Sequence, residues 1–585
     1  MAKNLEFALD IETTGLSPWH GKVLLITIRN PDGKLTQLRG SEIQKIKALK
    51  PFLEDPNHTF IIHNSTFDCT WIAVHYGIFI AKIFDTKLIA QIIQGEGEFS
   101  SSSLKTVLAK YKLADLDKTA QKSFIGMKTE NFSVEQLIYA ALDVEHLHAL
   151  KKLQLADADK MNLLTLCELE NKTAVVTYNM RVNGMKFDRK RWLEIATNYQ
   201  KRFNDIKAKL DKHFGEIVTK KTKSQTVLFD SMHVEKRDPI NWTSPAQVKK
   251  IFPIIKSFDD LPYLRGKDQW LDLWLDLWNI KMYVTTYSES WLETEYGSTI
   301  AADGRVHTEL SQIVSTGRYA SSMPNMQNIP KSTEHRSAFI AETGNVLVSG
   351  DFSGQELGIM AYASNEVTWL DAIKSGKDVH SIMATKFFPD EWRKGTEKNC
   401  TYPKRCKCVA HNKIRTKAKE FNFGLPYGKS AKSLALSLSM DRNDAQDIID
   451  QYNDEAPALI EWLQINGAYA IRHHVAYTLP PFNRYRNLKN SKEDWHRRNQ
   501  GYNTPVQGTG GDMLKLALVY AFEAAKQFKT VKILLCVHDE IITECSTKES
   551  KKWSMELKHQ MERAAELILD KNIVIVEPKI STSWG

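Results

Sequence analysis

The chain has 585 residues, 42% of them hydrophobic and 25% charged, which is ordinary globular usage and long enough for about four compact units. No apolar run approaches the roughly 18 residues of a membrane-spanning helix and the start lacks a secretory signal, so we expect a cytoplasmic protein without membrane contact. Seven scattered cysteines do not form a disulfide framework, and a net charge of +9 suits a polyanionic partner without identifying one.

Residues 1–155 alternate predicted strands and helices. β-branched and apolar residues predict strands over Phe7–Ile11 and Val23–Ile28, and apolar spacing predicts a helix over Val134–Leu150. This pattern is typical of an α/β unit.

Acidic side chains recur within this unit. Asp10 and Glu12 lie two positions apart on the first predicted strand, so their side chains leave the same face and can converge on one cation. Tyr139 and Asp143 lie one helical turn apart and therefore on one side of their helix. With Asp68, these four carboxylates and one phenol resemble the Asp-Glu-Asp-Asp-Tyr pattern of proofreading 3′→5′ exonucleases, which have an RNase-H-like fold.

The resemblance covers residues 1–155 and implies a role for each group. The four carboxylates would hold two divalent ions, and Tyr139 would orient the water that attacks a 3′-terminal phosphodiester. Oxygen donors suit Mg²⁺ or Mn²⁺ better than zinc. The alternative is an exonuclease fold that has lost its activity and retains these acids only from an active ancestor. The presence of all five groups disfavours this alternative.

Residues 160–300 contain long Lys/Glu-rich periodic segments that predict a mostly helical region. Aromatic residues recur in it at a spacing near four. This spacing is more typical of core packing than of a binding face. The aromatic residues are Trp270, Trp274, Trp278, Tyr283 and Tyr287.

Residues 300–585 return to mixed α/β texture, with strands predicted near 345–349, 531–537 and 541–544. Asp351 follows the first of these strands and Asp539 follows the second. We expect one sheet to carry both acids at adjacent strand ends. Two carboxylates holding divalent ions with open positions for phosphate oxygens are suited to in-line phosphoryl transfer.

A stripe of side chains with a spacing of four lies between these acids. Arg415, Lys419, Phe423 and Tyr427 would follow one side of a helix, with cations first and aromatic rings second, an order that fits a nucleoside triphosphate. An amphipathic helix with a basic end and a packed aromatic end is the alternative. Pro426 predicts a distorted last turn.

Three segments, in this chain order, resemble the polymerase motifs of family A DNA polymerases. They are Asp351-Phe-Ser-Gly-Gln-Glu356, the Arg415 to Tyr427 stripe, and Val537-His-Asp-Glu540. Two further segments resemble that family's primer-template region: Thr316-Gly-Arg318 with Pro324–Pro330, and Asn503-Thr-Pro-Val-Gln507-Gly. The resemblance runs from about residue 165 to the last residue.

The resemblance implies a right-hand polymerase behind the exonuclease unit, so the predicted fold class is a multidomain α/β and α+β protein. The predicted limits are 1–155 for the RNase-H-like exonuclease, 160–300 for the thumb, 301–370 and 481–585 for the two parts of the palm, and 371–480 for the fingers.

The resemblance also implies residue roles. Asp351 and Asp539 would hold two Mg²⁺, or Mn²⁺, and Lys419 would act beside them on the triphosphate. Glu356 and Tyr427 would leave no space for a ribose 2′-hydroxyl, so DNA is the expected product. The full set of nucleotide-binding residues would be Glu356, His380, Arg415, Lys419, Phe423 and Tyr427. Primer-template DNA would contact Arg318, Asn325, Gln327, Asn328, Asn503 and Gln507.

The predicted function is therefore template-directed addition of dNTPs to a primer 3′-end in DNA replication, with 3′→5′ proofreading. The alternatives are a repair nuclease whose second half only grips DNA, a noncatalytic DNA-binding scaffold, and a single-subunit RNA polymerase. Because the chain starts at the proofreading unit, we expect no 5′-nuclease activity, and this plan resembles the replicative enzymes of some bacteriophages. A processivity factor is not predictable from the residues.

One segment stands outside these motifs. Cys400, Cys406, Cys408 and His411 have zinc-ligand residue types, but their spacing departs from paired Cys-x2-4-Cys arrangements. A lysine-rich mobile loop is the favoured interpretation, and a metal site is the alternative.

Overall fold

The structure, a computed structural model, describes residues 5–95, 102–117, 119–221, 235–294, 297–331 and 334–585. Its buried side chains form three large apolar clusters, one beneath the first sheet, one within the helices of the middle region, and one that runs through the rest of the chain. None of the helices in these ranges combines the length and the apolar composition that a bilayer crossing demands.

The first unit is a five-stranded sheet surrounded by helices. Its strand order is β3-β2-β1-β4-β5; β2 is antiparallel to β1, whereas β4 is parallel to it. Both predicted strands are confirmed, and the helix predicted over 134–150 is two helices that meet at His146. The elements are β1 (Leu5–Thr13), β2 (Val23–Arg29), β3 (Leu35–Arg39), α1 (Leu49–Leu53), β4 (His58–Ile62), α2 (Ser65–Tyr76), β5 (Ile83–Asp85), α3 (Thr86–Gln94), α4 (Leu104–Lys110), α5 (Val134–Glu145) and α6 (Leu147–Lys160).

Side-chain caps fix the helices that carry the acidic residues of this unit. The buried carboxylate of Asp85 accepts hydrogen bonds from the backbone N–H of Ser65 (2.6 Å) and of Lys87 (2.9 Å), which ties the starts of α2 and α3 to the end of β5. A capping box between Ser133 and Gln136 begins α5.

The middle region is mostly helical, as predicted. Trp274 is fully buried, with Trp270 and Trp278 packed against the same cluster, and Tyr287 is buried in the large cluster with Tyr283 against it, so the core prediction for these aromatic residues is confirmed. The elements are α7 (Leu164–Asn183), β6 (Met185–Phe187), α8 (Arg189–Phe214), β7 (Glu216–Lys221), β8 (Glu235–Pro239), α9 (Pro245–Ile251), α10 (Gln269–Thr285), β9 (Glu293–Thr294) and β10 (Gly297–Ser298).

The last region holds an antiparallel sheet with the order β18-β19-β15-β20, in which β21 also pairs with β15. The three strands predicted here are confirmed. The elements are β11 (Arg305–Val306), β12 (Glu309–Ser311), β13 (Ala320–Ser322), β14 (Phe339–Ile340), β15 (Asn345–Ser353), α11 (Gln355–Ser364), α12 (Val367–Lys374), α13 (Val379–Phe387), α14 (Pro389–Lys394), α15 (Val409–Gly424), α16 (Ala431–Leu438), α17 (Arg442–Glu455), α18 (Pro457–His473), β16 (Val475–Tyr477), β17 (Tyr485–Asn487), α19 (Asp494–Asn503), α20 (Thr509–Ala525), β18 (Lys532–Val537), β19 (Glu540–Ser546), α21 (Ser550–Ile568), β20 (Ile575–Val576) and β21 (Lys579–Ser581).

Helix α7 packs against α20 and β18 of this last sheet. A buried ion cluster joins them: Lys515 Nζ lies 2.6 Å from Glu170 Oε1, and Arg484 contacts both Glu170 and Asp512. Helix α8 starts in the same large apolar cluster through Trp192, and its later residues pack with α9 and α10 in the cluster of the middle region.

Candidate active sites

The first candidate site lies at the end of β1. Asp10 and Glu12 on β1 and Asp143 on α5 each place a carboxylate oxygen within 4.8 Å of the others. They line a cavity of about 420 Å³ together with Asp68 and Tyr139, so the structure brings all five predicted residues together. Three oxygen donors at this spacing fit a hard divalent cation.

The pKa values of two of these groups, Asp68 and Tyr139, are raised. Asp68, in the first turn of α2, accepts a hydrogen bond from the backbone N–H of Ile11 at 3.1 Å, and burial, together with the charge of Asp10, raises the pKa of its carboxyl group. Burial, followed by the charge of Asp143, raises the pKa of Tyr139, whose hydroxyl therefore keeps its proton at neutral pH.

Sequence reasoning missed the polar and basic groups of this cavity. Lys87 and Lys105 both line it beside the carboxylates. His63, also in the lining, contacts the Thr86 hydroxyl at 2.9 Å and the Ser102 carbonyl at 3.0 Å. No local pattern marks these residues, because they reach the cavity from three separate segments.

The second candidate site lies at one end of the C-terminal sheet. Asp351 is near the end of β15, and Asp539 lies in the two-residue turn between β18 and β19. The carbonyl oxygen of Asp539 accepts a hydrogen bond at 3.3 Å from the backbone N–H of Phe352, the residue that follows Asp351. The strand beside β15 is β19, with Asp351 opposite Glu540, so the expectation that the strands leading to the two acids are neighbours is wrong. The sharp turn at His538, whose φ is +57°, returns Asp539 to β15.

The contact has an electrostatic consequence. Burial, followed by the charge of Asp351, raises the pKa of Asp539 to about 6. Two carboxylates that destabilise each other's charge are relieved by a cation, and their oxygen donors fit a divalent one. An adjoining cavity of about 570 Å³ is lined by Asp351 and Glu540 and by three basic residues that sequence reasoning missed, namely Lys331, Arg336 and Lys579.

A hydrogen-bonded group lies five residues after Asp351, where strand β15 is followed by helix α11. Glu356, at the start of α11, accepts a hydrogen bond from the Tyr427 hydroxyl at 2.6 Å and from Arg318 Nη2 at 2.8 Å. Arg318 Nε also donates to the carbonyl of Gln507 at 3.3 Å, and the Gln507 side chain donates to Asn503 Oδ1 at 3.3 Å. Five predicted site residues are thus linked in one network.

Helix α15 carries the predicted stripe. The helix ends at Gly424, and Leu425–Tyr427 forms a 3-10 turn, so the predicted distortion at Pro426 is confirmed. Lys419 is exposed, with its ammonium group 5.7 Å from the centre of the Phe423 ring.

Arg415 of the same stripe is engaged by a carboxylate that sequence reasoning did not assign. Its Nε and Nη2 donate to the two oxygens of Asp378 at 2.6 and 2.9 Å. His380 is buried and lies 3.0 Å from the Asn422 amide through Nδ1, and burial, followed by the charge of Arg415, lowers the pKa of His380 to about 4. It is therefore neutral at physiological pH.

The predicted DNA-contacting segment near residue 325 is held by its own hydrogen bonds. The Oδ1 of Asn325 accepts from the backbone N–H of Gln327 (3.1 Å) and of Asn328 (3.2 Å), which fixes a turn. Asn325 and Asn328 are exposed at that turn. The Asn325 side chain therefore shapes the turn, and the exposed groups beside it are available to a ligand.

Comparison with known proteins places these sites in a family. Residues 189–585 match DNA polymerase family A, and residues 1–155 match the family described as 3'-5' exonuclease. The chain is 29% identical to DNA polymerase I of Caldicellulosiruptor bescii over 432 residues, which is 71% of this chain and 46% of that protein. It is 28% identical to DNA polymerase I of Borreliella burgdorferi, covering 99% of this chain and 62% of that protein. For DNA polymerase I of Aquifex aeolicus the identity is again 28%, covering 98% of this chain and 95% of that one.

Several of these relatives are longer, and the chain spans about half of the Caldicellulosiruptor protein. A solved structure described as the POL domain of Pol1 from M. smegmatis in complex with DNA primer-template and dNTP is similar over 99% of this chain and 95% of that one, with a TM-score of 0.79 and 22% identity. This likeness shows the fold, so the predicted fold class, an exonuclease unit followed by a right-hand polymerase, is confirmed. The chain belongs to DNA polymerase family A and carries a 3'-5' exonuclease domain in front of its polymerase region.

Proposed function

We propose that this protein extends a primer 3′-end with dNTPs on a DNA template and removes misincorporated nucleotides with its exonuclease domain. The observation that carries the proposal is the placement of Asp539 beside Asp351, held by the Phe352 N–H to Asp539 carbonyl hydrogen bond at 3.3 Å, with the Glu356–Tyr427 pair five residues after Asp351. An acidic pair beside a closed polar group provides both a place for reacting phosphates and a way to select the sugar.

Polymerase and exonuclease domains of these families use divalent metal ions. We propose Mg²⁺ as the ion, two per active site, with Mn²⁺ as a substitute; Asp351 and Asp539 would hold one pair, and Asp10, Glu12, Asp68 and Asp143 the other. When bound, such ions activate the attacking oxygen and stabilise the leaving group in phosphoryl transfer. The hydroxyl of Tyr139, which keeps its proton, would orient the attacking water in the exonuclease site.

A gel assay with a labelled primer-template, Mg²⁺ and with or without dNTPs tests the proposal. We expect a longer primer with dNTPs and a shortened one without them. Unchanged primer length in both lanes would favour a DNA-binding scaffold, and shortening in both lanes would favour a repair nuclease.

The Glu356–Tyr427 hydrogen bond supports selection against ribonucleotides. The bond holds the two side chains against each other, so a ribose 2′-hydroxyl near them would clash with them. Glu356→Ala is expected to raise the efficiency of ribonucleotide relative to deoxyribonucleotide incorporation by about 100-fold, because removal of the side chain leaves space for the 2′-hydroxyl. Single-nucleotide incorporation kinetics with dATP and ATP measure this ratio.

Tyr427→Phe is the companion variant, because it keeps the ring and loses only the hydrogen bond; we expect a smaller change in the ratio. An unchanged ratio in Glu356→Ala would remove Glu356 from sugar selection. Efficient ribonucleotide use by the unmodified protein would favour the RNA polymerase alternative.

The exposed ammonium of Lys419 supports a triphosphate contact. Replacing it by alanine is expected to lower kcat/KM for dNTP incorporation by about 100-fold, because a charge-assisted contact to the triphosphate is lost. The matched control is Lys417→Ala, because Lys417 already pairs with Glu391 at 2.9 Å and should not reach the nucleotide. Equal effects of the two variants would contradict this role.

The remaining assignments are also proposals. Primer-template DNA would contact Arg318, Gln507 and Asn503 from one network and Asn325, Gln327 and Asn328 from the turn. Arg415 would reach the triphosphate with its Nη1, since Asp378 holds the other two nitrogens. We keep the predicted domain limits, and we propose that the protein acts in the cytoplasm in DNA replication.

A further inference from the structure

Four potential soft-metal ligands meet beside the stripe on α15. Cys400, Cys406 and Cys408 lie in the connection between α14 and α15, and His411 lies in the first turn of α15. We call these four residues the cysteine cluster. Their ligand atoms all lie within 4.8 Å of one another, and the three cysteines are free thiols.

The distances match a tetrahedral zinc cage. The Sγ atoms of Cys400 and Cys406 lie 3.5 and 3.2 Å from His411 Nδ1. Zinc bonds of about 2.3 Å to sulfur and about 2.0 Å to nitrogen, at tetrahedral angles, place sulfur and nitrogen about 3.5 Å apart and two sulfurs about 3.8 Å apart. Only small side-chain adjustments separate the cluster from this geometry.

The His411 ring is oriented as a metal ligand. Its Nε2 lies 2.8 Å from the carbonyl oxygen of Trp392 and therefore carries the proton, which leaves Nδ1 as a lone pair directed at the thiols. The ring is 1% exposed and stacks on the Trp392 indole with ring centres 3.7 Å apart and planes 10° apart. A carbonyl that fixes the tautomer in this way is the usual support of a histidine that binds zinc.

We propose that the cysteine cluster binds one zinc ion in a closed, structural Cys3His site. Thiolates and imidazole select zinc over the hard cations that suit the two carboxylate sites, and four protein ligands leave no position for a substrate. Binding releases the thiol protons to solvent. The same connection carries Lys404, Arg405 and Lys407, whose positive charges would offset the negative charge of the three thiolates.

The bound ion would fix the connection between α14 and α15 next to Asp378 and Arg415. Between the cysteines, the carbonyl of Pro403 accepts a hydrogen bond from the backbone N–H of Asp378 at 2.9 Å, and Asp378 holds Arg415, one turn beyond His411. The inference does not depend on the proposed polymerase function, because its test measures metal and not synthesis.

The test uses the full chain purified under reducing conditions without chelators, and it measures zinc by elemental analysis. We expect about one zinc per chain, reduced at least tenfold by Cys406→Ser and unchanged by Cys167→Ala, a buried thiol outside the cluster. Asp10→Ala, which weakens a carboxylate site, should leave the zinc content unchanged.

A second measurement does not depend on whether the variants fold. Zinc-depleted wild-type protein, titrated with Co²⁺, should develop the intense visible bands of a tetrahedral site and a near-ultraviolet thiolate-to-metal band, both of which zinc removes. Absence of zinc from the purified protein together with absence of these bands would overturn the proposal, as would a disulfide among the cluster's cysteines under reducing conditions.

Discussion

Asp539→Ala is expected to lower the rate of primer extension at least about 1000-fold, while degradation of single-stranded DNA stays within about twofold of the unmodified protein. The reason is geometric: the Asp539 carbonyl accepts a hydrogen bond from Phe352 N–H at 3.3 Å, which holds Asp539 beside Asp351 at the end of the C-terminal sheet. Removing the Asp539 carboxylate leaves one carboxylate to hold the metal ions. Rapid-quench measurement of single-nucleotide addition gives the rate, and a labelled single strand reports the exonuclease.

The fold of this variant can be checked separately. Because burial and the Asp351 charge disfavour ionised Asp539 in the folded state, its removal relieves repulsion, and the unfolding midpoint measured in EDTA should equal or exceed that of the unmodified protein. Asp570→Ala provides the matched control, since Asp570 is a surface residue that pairs with Lys374 at 3.5 Å. Retained extension in Asp539→Ala would remove this residue from the mechanism.

Local periodicity predicted the parts of the sites that lie within one element. The alternation of β1 places Asp10 and Glu12 on one face, and the four-residue spacing on α5 places Tyr139 and Asp143 together, so these positions were readable from the sequence. Strand order was not readable, because the turn at His538 inserts β19 between β18 and β15.

Long-range pairing accounts for most of what the sequence concealed. Asp378 holds Arg415 from 37 positions away, and Glu170, an acidic residue in α7, is fully buried beside Arg484 and Lys515. Buried charged residues weaken the amphipathic pattern that would have predicted the packing of α7 against α20 and β18. The cysteine cluster was disfavoured on spacing alone, yet its ligand atoms lie within 4.8 Å of one another. Glu397 Oε1 accepts a hydrogen bond from Val409 N–H at 2.8 Å, which brings the connection back to the start of α15.

Asp10→Ala is expected to lower 3′→5′ degradation of single-stranded DNA by about 1000-fold and to leave primer extension within about twofold. Asp10, Glu12 and Asp143 bring their oxygens within 4.8 Å of one another, so loss of one donor disrupts a shared cation site. In the described part of the chain, the cavity around them is lined by a different set of residues from the one beside Asp351. The two chemistries should therefore separate by mutation.

A primer with a mismatched 3′-end makes the separation visible in one tube. The unmodified protein should trim the mismatch and then extend, whereas Asp10→Ala should leave the primer largely unextended, because a polymerase site adds poorly to a mispaired end. Asp32→Ala is the matched control, since Asp32 lies exposed in the turn after β2, where its Oδ1 accepts a hydrogen bond from Lys34 N–H at 3.3 Å. If Asp10→Ala still trims the mismatch at the rate of the unmodified protein, the carboxylates at the end of β1 do not form the proofreading site. If Asp10→Ala loses extension from a matched primer, the two sites are not independent.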